Sequence, residues 1–104
     1  MENLLLDFKY NDNLEKAIAG IEELLTPVYR ISRREVALLL LQGDGQIEQM
    51  VADNESSIED IRQIVLDTKE KFSQPLSYVI ALERQEFANK IADEVITYKI
   101  KKGS

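Results

Sequence analysis

The side chains that most often carry out chemistry are scarce in this sequence of 104 residues, which contains no His, no Cys and no Trp. Without imidazole or thiolate there is no route to the usual zinc, copper or haem ligand sets, nor to a Ser-His or Cys-His nucleophile pair. Three constellations remain to be weighed. Glu83 and Glu86 stand at i, i+3 with Arg84 between them, a spacing at which two carboxylates on one helix can share a hard cation. Sites of that kind use a His beside the Glu ligands, so a solvated helix face is the better reading of this pair. Gly43-Asp44-Gly45 has the look of a phosphate loop, but lacks the GxxxxGK(S/T) pattern and any following Lys to reach a phosphate; it reads as a helix stop followed by a turn. Arg33 and Arg34 are adjacent cations at the start of a helical pattern, where the dipole disfavours positive charge. They are expected to pair with carboxylates, either of this chain or of a partner. No catalytic constellation emerges.

The elements that would position these residues follow from turn and capping signals. Asp12 or Asn13 can cap a first helix whose apolar residues Leu14, Ala17, Ile18, Ile21, Leu24 and Leu25 recur every three to four positions. Thr26-Pro27 ends it, because the residue before Pro is pushed out of the helical region. Ser32-Arg33-Arg34-Glu35 has the form of a capping box opening a short helix to Gln42, with Gly43 predicted to close it in the left-handed conformation. A brief helix from about Gln46 to Ala52 follows. Ser56-Ser57-Ile58-Glu59 repeats the capping-box pattern before a fourth helix faced by Ile58, Ile61, Ile64, Val65, Thr68 and Phe72. Pro75 then starts a long helix to about Lys99, striped by Leu76, Val79, Ile80, Phe87, Ile91, Val95 and Tyr98, with Lys99, Lys101 and Lys102 near its negative end. The expected fold is all-α: one domain, a helical bundle of about five helices with one long C-terminal helix.

Composition narrows the function classes. Thirteen Lys and Arg against 19 Asp and Glu give a net charge of -6, which repels phosphate backbones and argues against nucleic-acid binding. The longest apolar run, Val36 to Leu41, falls far short of the roughly 20 residues of a membrane span. No secretory leader pattern is evident at Met1, and the polypeptide taken alone is expected to be soluble. Within Val36–Leu41, Val36, Ala37, Leu40 and Leu41 share one face, Leu39 lies on a flank and Leu38 points nearly opposite. A helix apolar on all sides is covered on several of them. The cover is expected to be the long helix, a neighbouring domain, or both.

The segment from Arg33 to Asp44, RREVALLLLQGD, resembles the RRWxA(I/L)KLLEGD segment of the cytosolic helical domain of ferrous iron transport protein B (FeoB). Tyr10 followed by Leu14-Glu15-Lys16-Ala17-Ile18 is similar to that family's first helix. Arg62 matches an R…I pattern in the Ile58-to-Phe72 helix, and Glu83 to Ile96 is similar to the helix leading to the membrane region. The resemblance covers roughly residues 8–98. Glu35, Leu39 and Gln42 depart from it, standing where the family has an aromatic, a Lys and a Glu.

What the resemblance implies is a domain with no cofactor of its own. GTP or GDP and Fe2+ would be handled elsewhere in a parent that places a G domain before it and membrane spans after it, on the cytoplasmic side of the membrane, with homo-oligomers of the parent allowed. The family's domain is described as a spacer resembling a GDP-dissociation inhibitor. On that reading Arg33, Arg34, Leu38, Leu39 and Asp44 are candidates for interdomain contact, and Lys99, Lys101 and Lys102 form a membrane-proximal basic tail. The rival reading is a free-standing helical adaptor that binds a partner through the Val36–Leu41 surface; a third is a carboxylate metal-binding bundle.

Overall fold

The computed structural model describes the backbone of residues 8–103 and the side chains of residues 8–95. Five helices are present, α1 (Asp12–Leu24), α2 (Arg33–Leu41), α3 (Gly45–Asn54), α4 (Ile58–Lys69) and α5 (Leu76–Gly103), with no strand among the described residues. The all-α bundle with one long final helix is therefore what the sequence pattern predicts.

The helix ends show which local signals hold. Asn11, rather than Asp12 or Asn13, caps α1, its side chain accepting from the Leu14 amide. Ser32 caps α2 through the Glu35 amide at 3.1 Å; the return bond from the Glu35 carboxylate is not formed among the described residues, so half of the expected box exists. Gly43 has φ +83°, and its amide bonds Leu40 O while that of Asp44 bonds Leu39 O. This pair of bonds is the Schellman arrangement, which needs a left-handed residue at the position Gly43 fills. Asp44 then caps α3, its carboxylate accepting from the Gln46 and Ile47 amides, both at 3.0 Å. Two adjacent residues thus stop one helix and start the next. The second predicted capping box does not form. α4 is preceded by Ser57 without a side-chain cap, and the Ser57 hydroxyl instead donates to Leu24 O at 3.1 Å, tying the start of α4 to the end of α1.

α1 is the centre of the bundle, packing against α2 on one side and α4 on the other, while α3 packs on α2. Leu14, Ile18 and Ile21 are fully enclosed, together with Val36 and Ala37 of α2, Val51 of α3, Ile61 of α4 and Ile80 of α5. Fully burying a side chain of this size contributes about 1.5–3 kcal/mol. α4 packs close to α1 at Gly20, where a Cβ would lie 3.4 Å from Ile64 Cδ1, an ordinary van der Waals contact.

This arrangement corrects the expectation that the long helix wraps α2. Among the described residues, α5 buries Leu76 and Ile80 in the core with Val79 packed partly against it, all from its first two turns. Val36, Ala37, Leu38, Leu40 and Leu41 are all buried and Leu39 is half-buried, so the Val36–Leu41 surface proposed for an adaptor lies inside the chain's own core.

The left-handed stop at Gly43 gives a local test. Gly43→Ala should lower stability by about 1 kcal/mol, measured by urea denaturation. Gly45→Ala, at the start of α3 with open space around it, should be neutral or slightly stabilising. Equal effects of the two substitutions would show that the positive φ is not the constraint.

Candidate functional site

Before α1 begins, residues 8–11 run along α5 and are fastened to it residue by residue. Phe8 stacks on Phe87 with ring centroids 4.5 Å apart and 22° between the planes, and lies 4.6 Å from the Tyr10 ring. The Tyr10 hydroxyl accepts from Arg84 Nε at 2.6 Å. Asn11 donates its backbone amide to Glu83 Oε1 at 2.8 Å and its side-chain amide to Glu83 Oε2 at 2.5 Å. Asn11 thus uses its side-chain oxygen to cap α1 and its nitrogen to hold α5. Positions 83, 84 and 87 lie within one turn and a fraction of a helix, so a short extended segment reaches all three.

A second set of bonds locks the same segment to α2. Glu15 accepts from the Tyr10 amide at 2.8 Å and takes both terminal nitrogens of Arg34, at 2.9 and 2.8 Å. The paired geometry makes this a strong charge-assisted contact. The Arg34 guanidinium also lies 5.9 Å above the Tyr10 ring. The Arg34 bonds hold the Glu15 carboxyl below the usual carboxylate range despite its partial burial, and in turn raise Arg34 further. Between these fastenings lies an open hollow of about 510 Å³, walled by Phe8, Leu38, Phe87 and Ile91 and rimmed by Arg34 and Arg84.

On the other side of the bundle a buried carboxylate holds the α1–α2 loop. Glu55 is only 6% exposed, and its Oε2 accepts from the Thr26 amide at 3.0 Å, the Thr26 hydroxyl at 3.0 Å and the Tyr29 hydroxyl at 2.7 Å. Burial alone would push this carboxyl up, but the three donors favour the anion and its pKa ends below the usual value. The same environment raises the Tyr29 hydroxyl well above its ordinary value, through burial first and the Glu55 bond second.

A family model described as the FeoB cytosolic helical domain matches residues 10–97, running from the Tyr10 fastening through all five helices. The chain belongs to the FeoB cytosolic helical domain family. No curated protein and no solved structure matches it. Among the described residues, no helix is long and apolar enough to cross a membrane, and no group of three or more Asp or Glu is placed to hold a metal ion.

Within this FeoB-type domain the residues singled out from the sequence do not form one patch. Arg34 and Leu38 meet at the Phe8–Phe87 hollow, but Leu38 is 3% exposed and serves the core. Leu39 is half-buried. Arg33 is exposed at the first position of α2 and forms no ion pair among the described residues. Asp44 sits at the far end of α2, engaged in capping α3. The side chains of Lys99, Lys101 and Lys102 lie outside the described residues. Glu83 corrects the solvated-face reading of the Glu83/Glu86 pair: it is half-buried with both oxygens on Asn11, whereas Glu86 is exposed. Sequence reasoning missed Glu55 altogether, since Asp53-Asn54-Glu55-Ser56 reads as a polar connection. The nearest available signal was Tyr29, an aromatic hydroxyl in a short loop that needs a buried partner.

The Glu55 contact predicts a pH dependence with two edges. A carboxyl whose folded pKa is depressed stabilises fully above its unfolded pKa of about 4.3 and loses that contribution as pH falls. A Tyr whose folded pKa is raised stabilises fully below about 10 and loses it as pH rises. The stability advantage of the wild type over Glu55→Gln should therefore shrink as pH falls from about 5 to 3, as read from urea midpoints. Tyr29→Phe should cost about 1–3 kcal/mol at neutral pH.

Proposed function

We propose that this domain is a non-catalytic coupling element of a ferrous iron transporter. It modulates how an adjacent G domain holds GDP and links nucleotide state to the membrane region that passes iron, on the cytoplasmic side of the membrane. Membership of the FeoB helical family supports the setting. The observation that carries the coupling is the fastening of residues 8–11 onto α5 through Phe87, Arg84 and Glu83.

Coupling two sites requires an element whose arrangement both can bias. Here the segment by which the chain enters the bundle is bonded to the helix by which it leaves. A displacement of residues upstream of Phe8 must either move α5 or break the stacked rings and the bonds to Glu83 and Arg84. α5 is suited to carry such a displacement, because beyond Ile80 none of its described residues is buried in the central core.

The domain has no catalytic part in this reading; its substrate is a conformational equilibrium. Coupling energies of this kind are about 1–3 kcal/mol, or roughly 5- to 150-fold in affinity. A protein comprising the G domain followed by this chain should therefore release a fluorescent GDP analogue at least about 5-fold more slowly than the G domain alone. Glu83→Ala combined with Phe87→Ala should return much of that difference. Release that is unchanged by adding the domain would contradict the proposal.

A further inference from the structure

The α1–α2 loop, residues 25–32, displays a surface that the chain's own folding does not use. Val28 is 64% exposed and Ile31 43%, and Arg30 beside them is exposed, as is Arg33 one residue into α2. Three of the five arginines are engaged: Arg34 by Glu15, Arg62 by Glu48 and Glu59, and Arg84 by Tyr10. Arg30 and Arg33 form no ion pair among the described residues. Pro27, Tyr29, Ile31 and Arg33 wall a shallow hollow of about 380 Å³ beside them, with Glu22 on its edge.

The loop is held in this form from beneath. Glu55 binds Thr26 and Tyr29 on either side of Val28, while Val28 and Ile31 stay exposed. Burying a carboxylate costs free energy unless it is fully hydrogen-bonded, and here that arrangement fixes a segment whose outward residues are two aliphatics and two cations. Arg33 is further disfavoured locally by the helix dipole at the start of α2.

We infer that this loop is a docking surface for an acidic protein segment with an apolar side chain between its carboxylates: the carboxylates meet Arg30 and Arg33, and the apolar group packs on Val28 and Ile31. The charge pattern favours a protein over a lipid surface. Two cations near an anionic membrane supply about 1 kcal/mol each, while the body of the chain, at net charge -6, is repelled by it. A protein segment presents its acids locally and leaves that body in solvent. The loop's hollow shares Arg34 with the Phe8–Phe87 hollow, but the inference rests on Val28, Arg30, Ile31 and Arg33 and not on the coupling role.

The test uses the full chain, labelled with nitrogen-15 and titrated with the peptide EDLFDE. Amide shifts concentrated at residues 26–33, weakened by added salt and reduced at least tenfold in affinity by Arg30→Glu with Arg33→Glu, are the expected result. Val28→Ser, which leaves both charges in place, should also weaken binding and provides a second check if the charge reversal disturbs the fold. Equal binding of EDSSDE or KKLFKK, equal binding to the charge-reversed variant, or no shift at all would overturn the inference. So would binding of the chain to phosphatidylserine vesicles through this loop in place of the peptide.

Discussion

A helix of 28 residues spans about 42 Å at 1.5 Å per residue, and the two side chains it buries among the described residues, Leu76 and Ile80 near one end, cannot fix its direction. In this domain the direction of α5 depends on a short extended segment laid beside it, whose Phe8, Tyr10 and Asn11 meet Phe87, Arg84 and Glu83 in turn. The rest of the bundle is built on α1, which packs against α2 and α4, with α3 on α2. In the proposed coupling role, this contact is the link between the entering segment and α5. Leu38, buried with the core, lines the same hollow as Phe8 and Tyr10 of this segment.

Carboxylates do most of the joining. Glu83 joins α5 to the start of α1, Glu15 joins that start to α2, and Glu55 joins the end of α3 to the α1–α2 loop. Each accepts from backbone amides as well as side chains, so each satisfies donors that helix starts and turns would otherwise leave unpaired. No buried side-chain nitrogen or oxygen is without a partner among the described residues. A chain without cysteines thus fixes its loops with acids. The charge of -6 is accordingly more than a solvated exterior.

The helices were legible because their signals are local. Leu14, Ala17, Ile18 and Ile21 carry the helical period, Ser32 and Gly43 mark an end each, and all of these act within a few residues. The joining contacts were illegible for the opposite reason. Asn11 and Glu83 are 72 residues apart, Tyr10 and Arg84 74, and Thr26 and Glu55 29, and no periodicity links them. Glu83 in an ExxE pair and Glu55 in a polar run look like solvent-facing acids until the chain is folded. The same limit applies to Leu38, since a helical wheel gives the face but not what lies over it. Arg34 was legible in part: the cost of a cation in the first turn pointed to a partner, though not to Glu15.

The central claim is that residues 8–11 and α5 behave as one mechanical unit. Tyr10→Phe removes a single oxygen, the acceptor for Arg84, and leaves the ring packed against Phe8. Hydrogen exchange at α5 amides following Glu83, compared between wild type and this variant, tests the claim most directly. Faster exchange there, by about 1 kcal/mol of local opening free energy, with Leu14 to Ile21 of α1 unchanged, is the predicted result. Protection of α5 that is the same with and without the hydroxyl would contradict it.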